Sequence, residues 1–168
     1  YWCFDGLRKS YEICMNLNEI IDSLRTEDLV SKFKSGLKVA GVEIADDPVA
    51  KYFAAETVDA TLLVLAHEST LEKGWWGIHS DILERAKNSE RVRMNHVGWG
   101  AVLLHKSFQR GYWIRGNDIF RMKTLCRVTL GKEGQYHFNG DSLDNSPEFA
   151  KQFFSVRTFL KLSGLQKS

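Results

Sequence analysis

The residues best suited to chemistry in this chain are one histidine and the basic residues that precede it. Arg121, Lys123 and Arg127 fall at alternate positions, and His137 follows a turn containing Gly131 and Gly134. If the two segments pair as a hairpin, either of the two nearest registers puts His137 opposite Arg127 or Thr129, within roughly 5 to 8 Å of Arg127. Histidine moves protons near neutral pH, and arginine stabilises charge building on a phosphate. His137 and Arg127 are therefore the candidate catalytic pair, for metal-independent RNA cleavage.

The hairpin depends on an alternating pattern between Asp118 and Leu130. One set of alternate positions is apolar apart from Thr124, and it comprises Phe120, Met122, Cys126, Val128 and Leu130. The other set carries the three basic residues together with Ile119, Leu125 and Thr129. Side chains alternate between the two faces of a strand, so the pattern predicts a core face backed by a basic face.

Positive charge is concentrated in the second half of the chain. Between Arg85 and Lys132 there are eleven basic residues against two acidic ones, which gives a net charge of +9. The whole chain carries only +2, so the remainder carries about −7. Such asymmetry favours an anionic partner.

Nucleic acid is the anionic partner that we expect first. Basic side chains neutralise phosphates, and aromatic rings stack on unpaired bases. No recognition-helix motif is evident, so RNA or a single strand is expected in preference to duplex DNA. The candidate binding residues are Arg110, Trp113, Arg115, Arg121, Lys123 and Arg127.

Three alternatives stay open. The arrangement of helices followed by a basic meander resembles small sheet-based ribonucleases and ribonuclease toxins, in architecture only, and would imply cleavage by His137 with Arg127. A second alternative is a protein-interaction module, such as an immunity or inhibitor protein or a subunit of a larger complex, whose basic face meets an acidic partner. The third is a solvated basic face over core aromatics, as is common on antiparallel sheets.

Two histidine motifs are incomplete. Arg91 precedes His96 by five positions, a spacing similar to the R-x(4–6)-H motif of HEPN ribonucleases, but Val92 follows the arginine and Gly98 breaks any helix. His67-Glu68 begins like a zincin helix, but Leu71 stands where the second histidine ligand is required. We therefore expect no metal and no other cofactor.

Trp75 and Trp76 stand between Gly74 and Gly77. Adjacent tryptophans flanked by glycines are able to sandwich a base, a cap-like purine or a sugar, or to pin a turn onto the core. The structural role is favoured, because at least one of two neighbouring large rings normally packs inside.

The elements that position these residues are expected to form an α+β fold with a helical N-terminal half, an antiparallel β-meander in the C-terminal half and a closing C-terminal helix. Apolar residues at helical spacing predict helices over 7–24 and, capped by Thr26, over 29–37. Asp47-Pro48 predicts the start of a long helix running towards Gly74, and Ser80 the cap of a shorter one through Ala86. The closing helix is expected from Ser146-Pro147 to Gly164.

Length and composition limit the classes of protein to consider. With 168 residues, 43% of them hydrophobic and 26% charged, the chain is expected to fold as a single domain over 1–168. Its three cysteines are odd in number with no close pair, which favours reduced thiols and a cytoplasmic location. The longest apolar stretch, 58–66, is too short to span a bilayer, so no membrane role is expected. The oligomeric state is left open.

Overall fold

The computed structural model of the chain describes residues 28–47, 51–125, 129–130 and 134–167. The described helices are α1 (Leu29–Val39), α2 (Ser80–Lys87), α3 (Glu90–Asn95), α4 (Gly116–Leu125), α5 (Gly140–Asp144) and α6 (Val156–Ser163). The described strands are β1 (Glu43–Asp46), β2 (Phe53–Glu56), β3 (Thr61–Ser69), β4 (Trp75–His79), β5 (Gly98–His105), β6 (Ser107–Arg115), β7 (Thr129–Leu130), β8 (Gln135–Asn139) and β9 (Ala150–Phe153). The predicted α+β class, with its closing C-terminal helix, is confirmed.

The strands form a large sheet and a small one. The large sheet has the order β1-β2-β3-β5-β6-β9, and the small sheet has the order β4-β8-β7. Strands β3 and β5 run parallel from the pair Leu62 and Gly98 to the pair Ser69 and His105, whereas the other paired strands are antiparallel.

Both faces of the large sheet are covered. Helices α1 and α6 pack on one face, where the Phe159 ring contacts both Phe33 and Trp113. The small sheet and helices α2 and α4 pack on the other face, where Trp76 and Met122 are buried. Within the described residues, no helix combines the length and the apolar character required to cross a bilayer.

Two predicted helices are confirmed in place. Helix α1 buries Leu29, Phe33 and Leu37, and its cap is Asp28, whose Oδ1 accepts from Ser31 N at 2.6 Å. Helix α2 buries the apolar positions expected of it, but Ser80 is its first residue and His79 is at the N-cap without a side-chain capping bond, so the prediction that Ser80 caps the helix is wrong. The helix predicted over 7–24 lies outside the described residues, as does Thr26.

The long helix predicted from Asp47-Pro48 towards Gly74 is wrong. Strands β2 and β3 occupy this stretch, joined by a turn in which Thr57 N donates to Ala60 O at 2.9 Å. The run from Leu62 to Leu65 is buried along its whole length, since β3 is a central strand with a packed layer on each face. A continuous apolar run of this kind does not distinguish a buried strand from a buried helix.

The strand predicted between Asp118 and Leu130 is also wrong over most of its length, because helix α4 occupies 116–125. Ile119 and Met122, three positions apart, are both buried, and Phe120 packs beside Trp99. The alternating pattern had to place Ile119 on the basic face, whereas helical spacing brings it into the core. Among the described residues of this stretch, Thr129 and Leu130 form a strand, and Thr129 pairs with His137 in one of the two expected registers.

The closing helix is shorter than predicted. Residues 150–153 form strand β9, which pairs with β6 at the edge of the large sheet. Ser155 then caps helix α6 by accepting from Thr158 N at 3.1 Å. The helix ends as expected at Gly164, whose φ of 79° is in the left-handed region that favours glycine.

Candidate anion site

An open pocket of about 590 Å³ lies where strand β5 begins and strand β6 ends. Helices α2, α3, α4 and α6 contribute to its walls. The lining residues are Leu62, Lys87, Val92, His96, Val97, Gly98, Trp99, Trp113, Arg115, Gly116, Asn117, Asp118, Arg121 and Ser163. With His96 neutral, the described lining residues comprise three cations and one carboxylate, so the pocket carries a net charge of +2.

Asp118 holds two of the cations. Its Oδ2 accepts from Arg115 Nε at 2.9 Å, and its Oδ1 faces Arg121 Nη1 at 3.5 Å. The carboxylate side chain is only 5% exposed, whereas the Arg115 and Arg121 side chains are 71% and 62% exposed. Both arginines therefore contact one buried carboxylate while most of each arginine side chain stays exposed to solvent.

The start of helix α4 brings Arg115, Asp118 and Arg121 together. Arg115 ends strand β6, Asp118 lies in the first turn of α4, and Arg121 follows one turn later. Residues three apart on a helix lie on one face, which brings Asp118 within reach of Arg121. The Arg115 side chain reaches Asp118 from the end of strand β6, so a short stretch of chain fixes both guanidinium groups.

Two of the cationic side chains lie over aromatic rings. Lys87 Nζ lies 5.0 Å from the centroid of the Phe120 ring, and Arg121 Cζ lies 5.1 Å from that of Phe149. Cation–π contacts of this length are attractive, and they restrict the orientation of the charged groups. Phe120 in turn packs against Trp99, with ring centroids 6.0 Å apart.

Gly116 allows strand and helix to meet at this point. A Cβ built on Gly116 would lie inside the Trp99 indole, closer than any real Cβ contact. The Trp99 ring therefore lies directly against the start of α4. The amide end of a helix also attracts negative charge, which adds to the effect of the cations.

His96 and Arg91 belong to different places in the structure. His96 follows helix α3 with φ 52° and lines the cationic pocket. Arg91, on the preceding helix, lines a separate pocket beside Asp46 and Tyr52. The two residues of the R-x(4–6)-H spacing therefore share no pocket.

The predicted binding residues do not all converge. Arg115 and Arg121 share the pocket, but Arg110 lies five residues earlier on β6, beside Tyr112 and Asp144. Trp113 is 2% exposed and packs against Phe159 with ring centroids 5.6 Å apart. It is therefore a core residue, and the prediction that its ring stacks on a base is corrected. Lys123 lies on helix α4 and not on a sheet face.

The predicted catalytic pair is only half described. His137 is on strand β8, opposite Thr129 and Gly77, and its ring centroid lies 5.0 Å from that of Trp75. It does not line the cationic pocket. Arg127 lies outside the described residues, so the pairing of the two stays a prediction.

Sequence reasoning missed Lys87, His96, Trp99 and Asp118 as members of one site. The spacing of Arg115, Asp118 and Arg121 at steps of three residues was one signal in the sequence. In a helix, side chains three residues apart are neighbours, so a helix over this segment places Asp118 beside Arg121. The other members come from distant parts of the chain, and no local pattern links them.

Within the described residues, no group of three or more histidine, cysteine, aspartate or glutamate side chains is arranged to hold a metal ion.

No protein-family model matches the chain, and no curated protein matches its sequence significantly.

Proposed function

We infer that this protein binds a phosphate-bearing polymer, RNA or single-stranded nucleic acid, at the cationic pocket. The observation that supports it is the anchoring of Arg115 and Arg121 on one buried carboxylate, with side chains that are 71% and 62% exposed. Guanidinium groups held in a fixed orientation are well suited to bidentate contacts with phosphate oxygens. Lys87 adds a third positive charge at the same pocket.

The basic sheet face expected from the sequence is not part of this proposal. That hypothesis needed Arg121, Lys123 and Arg127 to project together from one strand, and helix α4 removes the strand. The pocket replaces it with a smaller set of cations that meet at one place. A pocket of about 590 Å³ lies within the usual size range of ligand sites, which is roughly 300 to 1,000 Å³.

The excess of positive charge in the same part of the chain supports a polymer over a single small anion. The stretch from Arg85 to Lys132 carries a net +9, and exposed basic residues such as Arg85, Arg93 and Lys106 belong to it. Long-range attraction from such a region increases the rate at which a polyanion associates. The proposal includes a cytoplasmic location, which an odd number of cysteines with no close pair in the sequence supports.

Binding to a labelled single-stranded RNA at low salt tests the proposal. We expect the parent to bind and the double variant Arg115→Gln/Arg121→Gln to bind at least tenfold more weakly, because each phosphate contact to an arginine is lost. The matched control is Lys38→Gln/Arg157→Gln, which removes two exposed cations from helices α1 and α6 outside the pocket. No binding by the parent, or equal losses in both double variants, would contradict the proposal.

A further inference from the structure

The outer face of the small sheet carries an exposed tryptophan that the cationic pocket does not use. Trp75 and Trp76 are neighbours on strand β4, and they point to opposite faces. Trp76 is 1% exposed and its Nε1 donates to Leu104 O at 2.9 Å, so it is the ring that pins the strand to the core. Trp75 is 44% exposed, and nothing in the core requires a ring of this size there.

Gly77 provides the surface on which the Trp75 ring lies. A Cβ built on Gly77 would lie 3.1 Å from Trp75 Cη2 and 2.7 Å from Gln135 Oε1. The indole and the amide oxygen therefore both lie over the glycine. Since Trp75 and Gly77 are two residues apart on one strand, they share a sheet face, and the ring lies along it with its outward side towards solvent.

Polar side chains surround the ring on the same face. His137, the cross-strand partner of Gly77, has its ring centroid 5.0 Å from that of Trp75 at an interplanar angle of 50°. Gln135 Nε2 donates to His79 Nε2 at 2.9 Å, which leaves Oε1 directed over Gly77 as an acceptor. Asn139, opposite Trp75, caps helix α5 with its Oδ1, and its Nδ2 is a donor that this cap does not use.

We propose that this face, made of Trp75, Gly77, Gln135, His137 and Asn139, is a stacking platform for one unpaired nucleobase. A base is a planar ring with donors and acceptors on its edge, which matches a flat indole bordered by an amide acceptor and an amide donor. The inference rests on the proposed function for its choice of ligand. It deepens that function by adding base recognition to phosphate recognition.

The platform and the cationic pocket lie at opposite ends of the parallel strands β3 and β5. The pocket includes Leu62 and Gly98, which pair at one end, and Trp75 N donates to Ser69 Oγ at 3.0 Å at the other end. Seven residue steps at about 3.3 Å separate the two ends by roughly 23 Å. The two sites are therefore separate enough to be tested one at a time.

The first test uses a ligand without phosphate. Adenosine at roughly millimolar concentration is titrated into the parent, and the indole N–H resonances of the tryptophans are followed by NMR. The Trp75 resonance is identified by its loss in Trp75→Phe. We expect it to shift saturably while those of Trp76, Trp99 and Trp113 do not. No shift, or an equal shift with the uncharged sugar maltose, overturns the inference.

The second test separates the platform from the phosphate site. We expect Trp75→Leu to weaken binding of single-stranded oligoadenylate about tenfold, the size of effect usual for loss of one stacked base, with the salt dependence unchanged. Phe154→Leu, which removes a ring that is 63% exposed elsewhere, is the control and should leave binding unchanged. Full binding by Trp75→Leu overturns the inference and leaves the proposed function standing. An adenosine shift without RNA binding retains the platform and contradicts the proposed function.

Discussion

His67 is a partly buried histidine on strand β3, where it pairs with Leu103. Its Nε2 atom is buried and has no hydrogen-bond partner among the described residues. Burial, aided by the positive charges of Lys51 and His79, lowers the pKa of His67 to about 4. The unfolded chain therefore binds a proton at this residue at a pH where the folded protein does not.

This difference predicts acid sensitivity. Because the pKa is lowered on folding, the contribution of His67 to stability is complete above the unfolded pKa of about 6.5 and decreases as the pH falls towards 4. We expect a loss on the order of 2 to 3 kcal/mol between pH 7 and 4.5, measured as the free energy of unfolding in urea. His67→Leu should lack this part of the loss, and His96→Asn, which changes an exposed histidine, should retain it. Equal pH dependence in the parent and His67→Leu would contradict this account.

At the scale of elements, the junction between β6 and α4 determines the geometry of the pocket. Arg115 ends the strand, Gly116 begins the helix against the Trp99 ring, and Asp118 lies in the first turn of the helix. The position of both guanidinium groups therefore depends on a close approach that only glycine permits.

Gly116→Ala tests that dependence. Alanine favours helix more than glycine by about 1 kcal/mol, so propensity alone would stabilise the protein. We expect instead a loss of about 1 to 3 kcal/mol, because the added methyl overlaps the rigid indole and forces strand and helix apart. Urea unfolding measures the change. Gly98→Ala is the matched control, since its methyl meets only the end of the flexible Leu62 side chain at 3.1 Å. A Gly116→Ala protein as stable as the parent would show that the junction has room to adjust.

The elements also show what the sequence did and did not predict. Helices α1 and α2 were predictable because each buries one apolar stripe and exposes the rest. Strand β3 was mistaken for a helix because burial on both faces removes the alternation that identifies a strand. Helix α4 was mistaken for a strand because basic residues at alternate positions concealed a helical set that includes Ile119 and Met122.

The candidate site was only partly predictable for a similar reason. Arg115 and Arg121 were identified from local charge density, and that property is visible in the sequence. Their contact with Asp118 depends on a helix that was not predicted. Lys87 and Trp99 come from earlier elements, and no local pattern predicts the two contacts that bring them to this pocket: the antiparallel pairing of β5 with β6, which places Gly100 opposite Arg115, and the position of Lys87 over the Phe120 ring.

At the scale of the whole molecule, the two proposed binding surfaces differ in chemistry and lie near opposite ends of strands β3 and β5. The pocket around Asp118 offers charge, and the face around Trp75 offers an aromatic ring with hydrogen-bonding groups. A single strand has charged phosphates and planar bases along its length, so it matches both surfaces. The account thus requires that charge and stacking contribute separately to affinity.

The salt dependence of single-stranded RNA binding tests the central claim most directly. Three phosphate contacts, from Arg115, Arg121 and Lys87, predict a slope of log K against log salt of about −2 for the parent, at roughly −0.7 per contact. The double variant Arg115→Gln/Arg121→Gln should reduce the slope to about −0.7, while Lys38→Gln/Arg157→Gln should keep the parent value. The same slope in the parent and the pocket variant would show that these arginines hold no phosphate.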